Sequence, residues 1–262
     1  MSIREPGRPA SIADLLALMQ AQLDSLTDEE STARDFLATY QRTTAAVAAA
    51  IEAGAFEDPA WVARWDLAFA GFYLDALDAH LSPTRLPSRP WRLAFDAAPG
   101  LPPLLNVLLG VNAHINYDLP QALLAVITDA EFEDADLVAR RRRDHARIDG
   151  VLAGRVAAED VEIASRSARS LLDRALRPLN RWGSRRFLKE AREKVWANTV
   201  ELSRCRALGE DAYRARLAEL DVLSSAKIND LLAPGQVLLR LAVAGFGVTL
   251  PPAAQGSRRP PG

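Results

Sequence analysis

Between Ala97 and Tyr117 the chain carries no charged side chain, and the apolar run from Leu101 to Ile127 is interrupted only by a few polar residues and by proline. Such a segment must leave water. It is long enough to cross a bilayer, but Pro99, Pro102, Pro103, Asn106, Asn112 and His114 fall inside it, so burial in protein is expected and not burial in lipid. The rest of the chain has to supply the walls around it.

Those walls read as helices. Apolar residues recur at helical spacing, and alternating β-branched runs joined by Asn-Gly or Asp-Gly turns are missing, so the fold class is all-α. Ser11 is placed to cap a first helix with Ile12, Leu15, Met19, Leu23 and Leu26 on one face. Thr27 and Glu30 form a capping-box pattern for a second helix, with Phe36, Leu37, Tyr40, Val47 and Ile51 facing inward and Gly54 as its stop. Asp58-Pro59 opens a third, running to about His80 with a stripe of Trp61, Trp65, Phe69, Phe72 and Leu77. Prolines 83, 87 and 90 force a loop before Trp91. The apolar segment then forms a central helix, Leu104 to Ile127, kinked at Pro120. Further helices are expected over Asp134–Ala153, Glu159–Leu176, Arg185–Leu208 and Asp211–Leu232, punctuated by Gly154, Pro178, Gly209 and Pro234. Together these predict a single antiparallel helical bundle of about eight helices, with residues 1–250 as one domain. The proline- and glycine-rich residues 251–262 are expected to form a disordered tail.

Composition narrows the partners. Hydrophobic residues make up 49% of the 262, enough for a sizeable core, and 32 Lys and Arg against 34 Asp and Glu leave no global field to draw nucleic acid or an anionic membrane. A small-molecule ligand is the expected partner, with neither nucleic acid nor membrane. The single Cys205 and an N-terminus without the apolar core of a signal peptide predict a cytoplasmic location.

The candidate site lies in the stretch Gly110 to Pro120, where Asn112, His114, Asn116 and Asp118 interrupt hydrophobic sequence. On a helix His114 and Asp118, four apart, share a face with Gly110, while Asn112 and Asn116 share another. The same residues fit period two and would share one face of a strand; the flanking sequence favours the helix. Leaving a buried polar group unpaired costs about 1–3 kcal/mol, so these groups must meet partners or a ligand. Two readings follow. In one the cluster is a structural hydrogen-bond network within a helical scaffold or ligand carrier. In the other it serves an enzyme acting on a small, mostly apolar molecule, a natural-product or lipid-like compound.

A second polar intrusion, Asp144 within the stripe Leu137, Asp144, Ile148 and Val151, adds an inward acid flanked by His145 and Asp149. The neighbouring arginines, residues 140–143, read as a solvated face paired with Glu131, Glu133 and Asp134, or as a grip on an anionic ligand at Arg141. The basic and aromatic zone from Asn180 to Asn198 reads as an amphipathic core helix from which Trp196 reaches the site. His114, Asp118 and Asp144 are thus the candidate catalytic residues, lined by Asn112, Asn116, Tyr117, Arg141, His145 and Trp196. With one divalent metal ion held by His114, Asp118 and Asp144, the chemistry would be metal-assisted hydrolysis. Without it, His114 would act as acid or base in cyclisation, isomerisation or elimination.

Familiar alternatives are missing: no phosphate-binding glycine loop, no nucleotide or flavin motif, no nucleophile elbow, no paired-cysteine zinc pattern, and no Glu-x-x-His pair of the di-iron type. Asp75 and Asp78 match the metal-binding acids of terpene cyclases only in part, since the second metal motif of that class is not present. The run Leu108 to Pro120, with Pro90-Trp91 upstream and Arg143-Asp144 and Ile148 downstream, resembles an uncharacterised, mainly actinobacterial family classed as a domain of unknown function. The likeness spans roughly residues 60 to 210 and centres on the signature Asn-Ala-His-Ile-Asn-x-Asp-Leu-Pro. It implies that His114, Asp118 and Asp144 belong to one site. Arg141 stands where that pattern often has a histidine, with His145 as the available substitute.

Overall fold

The structure, a computed structural model, describes residues 8–98, 100, 101, 103–166 and 193–233. Among these residues helices follow one another without a strand, and the chain is an all-α bundle. Helix starts obey local chemistry. Ser11 accepts from the Asp14 N–H to open α1 (Ile12–Ser25), and the Thr27–Glu30 capping box leads through a 3₁₀ turn into α2 (Ser31–Glu52). Gly54, at φ 71°, turns the chain out of α2. Asp58 accepts from the Trp61 N–H at the head of α3 (Pro59–Leu81). The first two helices form the expected hairpin, held by Gln41, which donates to the Leu16 carbonyl and the Gln20 side chain.

After the short α4 (Arg89–Phe95) comes the central run: α5 (Pro103–Ala113), a π-helical turn over His114–Asp118, and α6 (Leu119–Val126). The interruption therefore falls on the polar residues and not at Pro120. The Leu119 N–H bonds back to the His114 carbonyl, five residues away, and Pro120, which has no N–H to contribute, sits in the first turn of α6. The central run packs on α2, α3, α4 and a later helix, α10 (Glu210–Leu232). Its members Leu109, Ala113, Ala122 and Leu123 are fully buried.

A capping box at Thr128 and Glu131 starts α7 (Asp129–Glu133), and α8 (Ala135–Arg166) follows. Gly154 does not end a helix as its position suggests: α8 continues through it, because an interior glycine costs only about 1 kcal/mol, which neighbouring turns can absorb. Helix α9 occupies residues 193–208 and α10 spans Glu210–Leu232, separated by Gly209 at φ 128°. The helix start expected at Glu159 is not found, since α8 runs unbroken through that residue to Arg166, while the start expected at Arg185, together with Pro178, Pro234 and the tail, lies outside the described residues. Among those described, no helix is long and apolar enough to cross a membrane.

Two packing details position the site. On α3 the buried face carries Tyr73, fully buried, while Phe72 is only half-buried, so the aromatic ladder climbs in steps of four: Trp61, Trp65, Phe69, Tyr73. Where α2 crosses α5, a Cβ on Gly110 would lie 2.3 Å from Phe36 Cδ2 and 2.9 Å from Phe36 Cβ. Glycine is required there. Asn106 adds a polar tie, exchanging hydrogen bonds with Thr32 and Asp35.

Gly110→Ala is therefore expected to lower stability by about 2 kcal/mol, the overpacking cost exceeding the gain in helix propensity. Urea denaturation checks it, and unchanged or increased stability would contradict the close-packing account.

Candidate functional site

The π turn sets the geometry. Its wider coil brings residues four apart closer to eclipse, so His114 Nδ1 lies 2.9 Å from Asp118 Oδ2. The same carboxylate oxygen accepts from Trp91 Nε1 at 2.7 Å, which draws α4 onto the turn. His114 and Asp118 are each 2% exposed. With Nδ1–H donating to Asp118, the neutral imidazole directs the lone pair of Nε2 away from the acid, and among the described residues Nε2 has no hydrogen-bond partner.

Aromatic rings surround that imidazole. Phe69 stacks on it face to face, 3.6 Å between centroids and 6° between planes, and Tyr40 meets it edge-on at 4.6 Å. Phe36, Trp91 and Tyr73 complete the enclosure at 5.7, 5.9 and 6.1 Å. Burial drives His114 below its usual range, against the opposing pull of Asp118, and so favours the uncharged base. Burial likewise pushes Asp118 up, offset in part by the bonds from His114 and Trp91.

Two further polar groups border the enclosure. Tyr40 hydroxyl is buried with no partner among the described residues, as is Oδ2 of Asp66 on α3. Burial alone pushes the Asp66 carboxyl up to about 7. Tyr40 is raised well above its ordinary value by burial first, then by the charges of Asp66 and Asp118. Asp66 carries no motif, yet it stands in the column Val62–Asp66–Ala70, whose other members are fully buried. A lone acid in such a column was the available signal. Tyr40 and Phe69 read as plain core in the sequence, because nothing local marks which core rings face a polar group.

Not every expected member joins. Asp144 is fully buried, but its carboxylate accepts from the backbone N–H groups of Glu57 and Asp58, both at 2.8 Å, and from Arg147 at 2.9 Å. It pins α8 to the head of α3. From Asp58 to Phe69 is eleven residues, about 16 Å of helical rise, so Asp144 is held far from the imidazole that Phe69 covers. Correspondingly, no three His, Cys, Asp or Glu side chains among the described residues gather to hold a metal ion, and His114, Asp118 and Asp144 do not form a metal triad.

Arg141 is also committed elsewhere. It bonds Asp58 at 2.5 Å and Glu131 at 3.0 Å with its guanidinium over Trp61, so it neither pairs Asp144 nor reaches His114. Of the other arginines in that run, Arg140 meets Asp58 and Arg143 meets Glu57, so the loop before α3, and not Glu133 or Asp134, supplies most of the acids. His145 lies one step down the α3 ladder, with its ring against Trp65 at 5.3 Å and Trp196 at 5.7 Å.

Asn112 and Asn116 occupy the other face of the turn. Asn116 bonds the Asn112 carbonyl and side chain, Asn112 bonds the Leu108 carbonyl, and Ser224 of α10 bonds the Asn112 carbonyl. Tyr117 packs with Leu124, Leu202 and Leu220 in a separate small cluster, where burial raises its hydroxyl to about 12. Asp75 and Asp78 are exposed. His114, Asp118, Trp91, Tyr40 and Asp66 are thus the residues that come together.

Residues 12–234 match the model of a family of unknown function (DUF5995), and the chain belongs to that family. No curated protein and no solved structure matches it.

Two substitutions separate the groups. Asp144→Asn is expected to destabilise by about 2 kcal/mol at neutral pH, since the amide keeps one acceptor for two N–H donors and loses the charge facing Arg147. Asp66→Asn is expected to do the opposite. A raised acid contributes stability that is fully present below its ordinary value near 3.8 and is lost as pH rises through about 7. The amide removes that loss, so the stability advantage of Asp66→Asn, followed by thermal denaturation, should grow from pH 4 to pH 8, reaching a few kcal/mol. A pH-independent difference would contradict the raised carboxyl.

Proposed function

We propose that this protein is an enzyme of the acid-base type, in which neutral His114, oriented by Asp118, removes a proton from a small, uncharged, mostly apolar molecule. The observation that carries this reading is the unpartnered Nε2 of His114 inside a ring of aromatic side chains, with its other nitrogen fixed to a buried carboxylate. A base oriented by an acid behind it is the arrangement general-base chemistry needs. The surroundings favour an uncharged substrate. Arg140, Arg141, Arg143 and Arg147 are all paired with acids near the head of α3, and a net charge brought among Phe36, Tyr40 and Phe69 would bear an uncompensated desolvation cost. Base-initiated isomerisation, cyclisation and elimination all begin with such a proton transfer.

A second reading, a non-catalytic scaffold or carrier, draws support from the depth of the site: Phe69 covers one face of the imidazole at 3.6 Å. In that case the dyad exists to fix α4 against the central run.

Solvent exchange at carbon separates them. In D₂O, a chemically diverse mixture of small, uncharged, mainly hydrocarbon compounds incubated with the protein should yield at least one that takes up deuterium, read by mass spectrometry. With His114→Gln that uptake should fall by about 10²–10⁴-fold. If no compound exchanges and His114→Gln costs several kcal/mol of stability, the scaffold reading replaces the enzyme.

A further inference from the structure

Three buried polar groups come from three different segments of the bundle. Tyr40 on α2 contacts the His114 ring at 4.6 Å and the Phe69 ring at 6.0 Å. Asp66 and Phe69 are three apart on α3 and share a helix face, so the ring that covers His114 and the carboxyl of Asp66 project toward the same side. Each of the three leaves one polar atom unsatisfied among the described residues: the Tyr40 hydroxyl, Asp66 Oδ2 and His114 Nε2, in side chains 6%, 8% and 2% exposed. Several such orphans in one place would be costly without a molecule to bond them. By contrast, the hydroxyl of the neighbouring Tyr73 is bonded to the Ala33 carbonyl.

The orphans divide by chemistry. His114 Nε2 is an acceptor, while a phenol and a protonated carboxyl are donors. Resting on the assignment of His114 as base, we infer that Asp66 and Tyr40 form the proton-donating end of the same site, and that the substrate is an enolisable carbonyl compound, a ketone or ester with an otherwise hydrocarbon frame. His114 Nε2 takes the proton from the carbon beside the carbonyl, the C–H electron pair becomes the C=C bond, and the carbonyl π electrons move to oxygen, which receives the proton of Asp66. Collapse of the enol returns the oxygen proton to Asp66 and draws the proton from His114 onto carbon, at the original position or its vinylogue. No electron is gained or lost, and no co-reactant is needed. Tyr40 donates to the same oxygen throughout without transferring its proton. Because burial holds Asp66 near 7, its protonated form is present around neutral pH.

The enol is mimicked by 2-naphthol, an uncharged aromatic hydroxyl compound, and its binding can be followed by calorimetry at pH 6. The wild type should bind it, and Asp66→Leu, which keeps the volume and removes the donor, should weaken binding by about tenfold, the worth of one buried hydrogen bond. Tyr40→Phe removes a single hydroxyl and should act similarly; it carries the test should Asp66→Leu fail to fold. If both variants bind as the wild type does while His114→Gln binds more weakly, the donor assignment is overturned and the base reading stands. If the folded wild type does not bind 2-naphthol at millimolar concentration, the carbonyl substrate class is overturned, and the deuterium exchange of the preceding section then decides on His114 independently.

Discussion

One oxygen atom, Oδ2 of Asp118, holds together the parts of this bundle that are otherwise hardest to reconcile. It accepts from Trp91 on α4 and from His114 in the same turn. A buried carboxylate with a single weak partner would be a liability of several kcal/mol, whereas two donors make it tolerable and fix both rings. The π turn is part of that solution, since it brings residues 114 and 118 into line and joins two helices across a proline that cannot continue the ordinary ladder. The imidazole then has one nitrogen engaged and one available, with its plane set by Phe69.

Charge is distributed with equal economy. At the head of α3, Glu57 and Asp58 meet four arginines of α8, and the buried Asp144 ties down the two backbone N–H groups of the same loop. Three turns further along α3 the surroundings are aromatic, and the ionisable groups there, His114 and Asp66, are driven toward their neutral forms by burial. The helix thus runs from an ionic anchorage into a region of low polarity. An acid in the first place is ionised and bonded; an acid in the second is held near neutrality by burial.

Much of this was legible before any coordinates. Ser11, the Thr27–Glu30 box and the Asp58-Pro59 start are local signals, and each caps the helix its position announced. The apolar run from residue 101 was marked for the interior by composition, and the four-residue spacing of His114 and Asp118 announced their contact. The inward direction of Asp144 was equally visible from its stripe. Its partner was not, because two backbone N–H groups of a distant loop leave no trace in side-chain pattern. The passage of α8 through Gly154 was hidden for another reason: an interior glycine costs only about 1 kcal/mol, so its presence alone does not end a helix.

What the sequence determined by itself is therefore everything set within a turn or two of chain: helix type, most helix starts, the buried stripes, and the pairing of His114 with Asp118. What only the tertiary structure decided is which buried polar groups from different helices meet. Asp66 and Tyr40 border the His114 enclosure, while Asp144 and Arg141 serve the head of α3, yet all four are polar groups on inward faces. The difference lies in the axial register and rotation of α2, α3 and α8 against the central run. Those are fixed by the sum of many side-chain contacts, such as Phe36 against Gly110, and periodicity along one helix carries no information about its height against another.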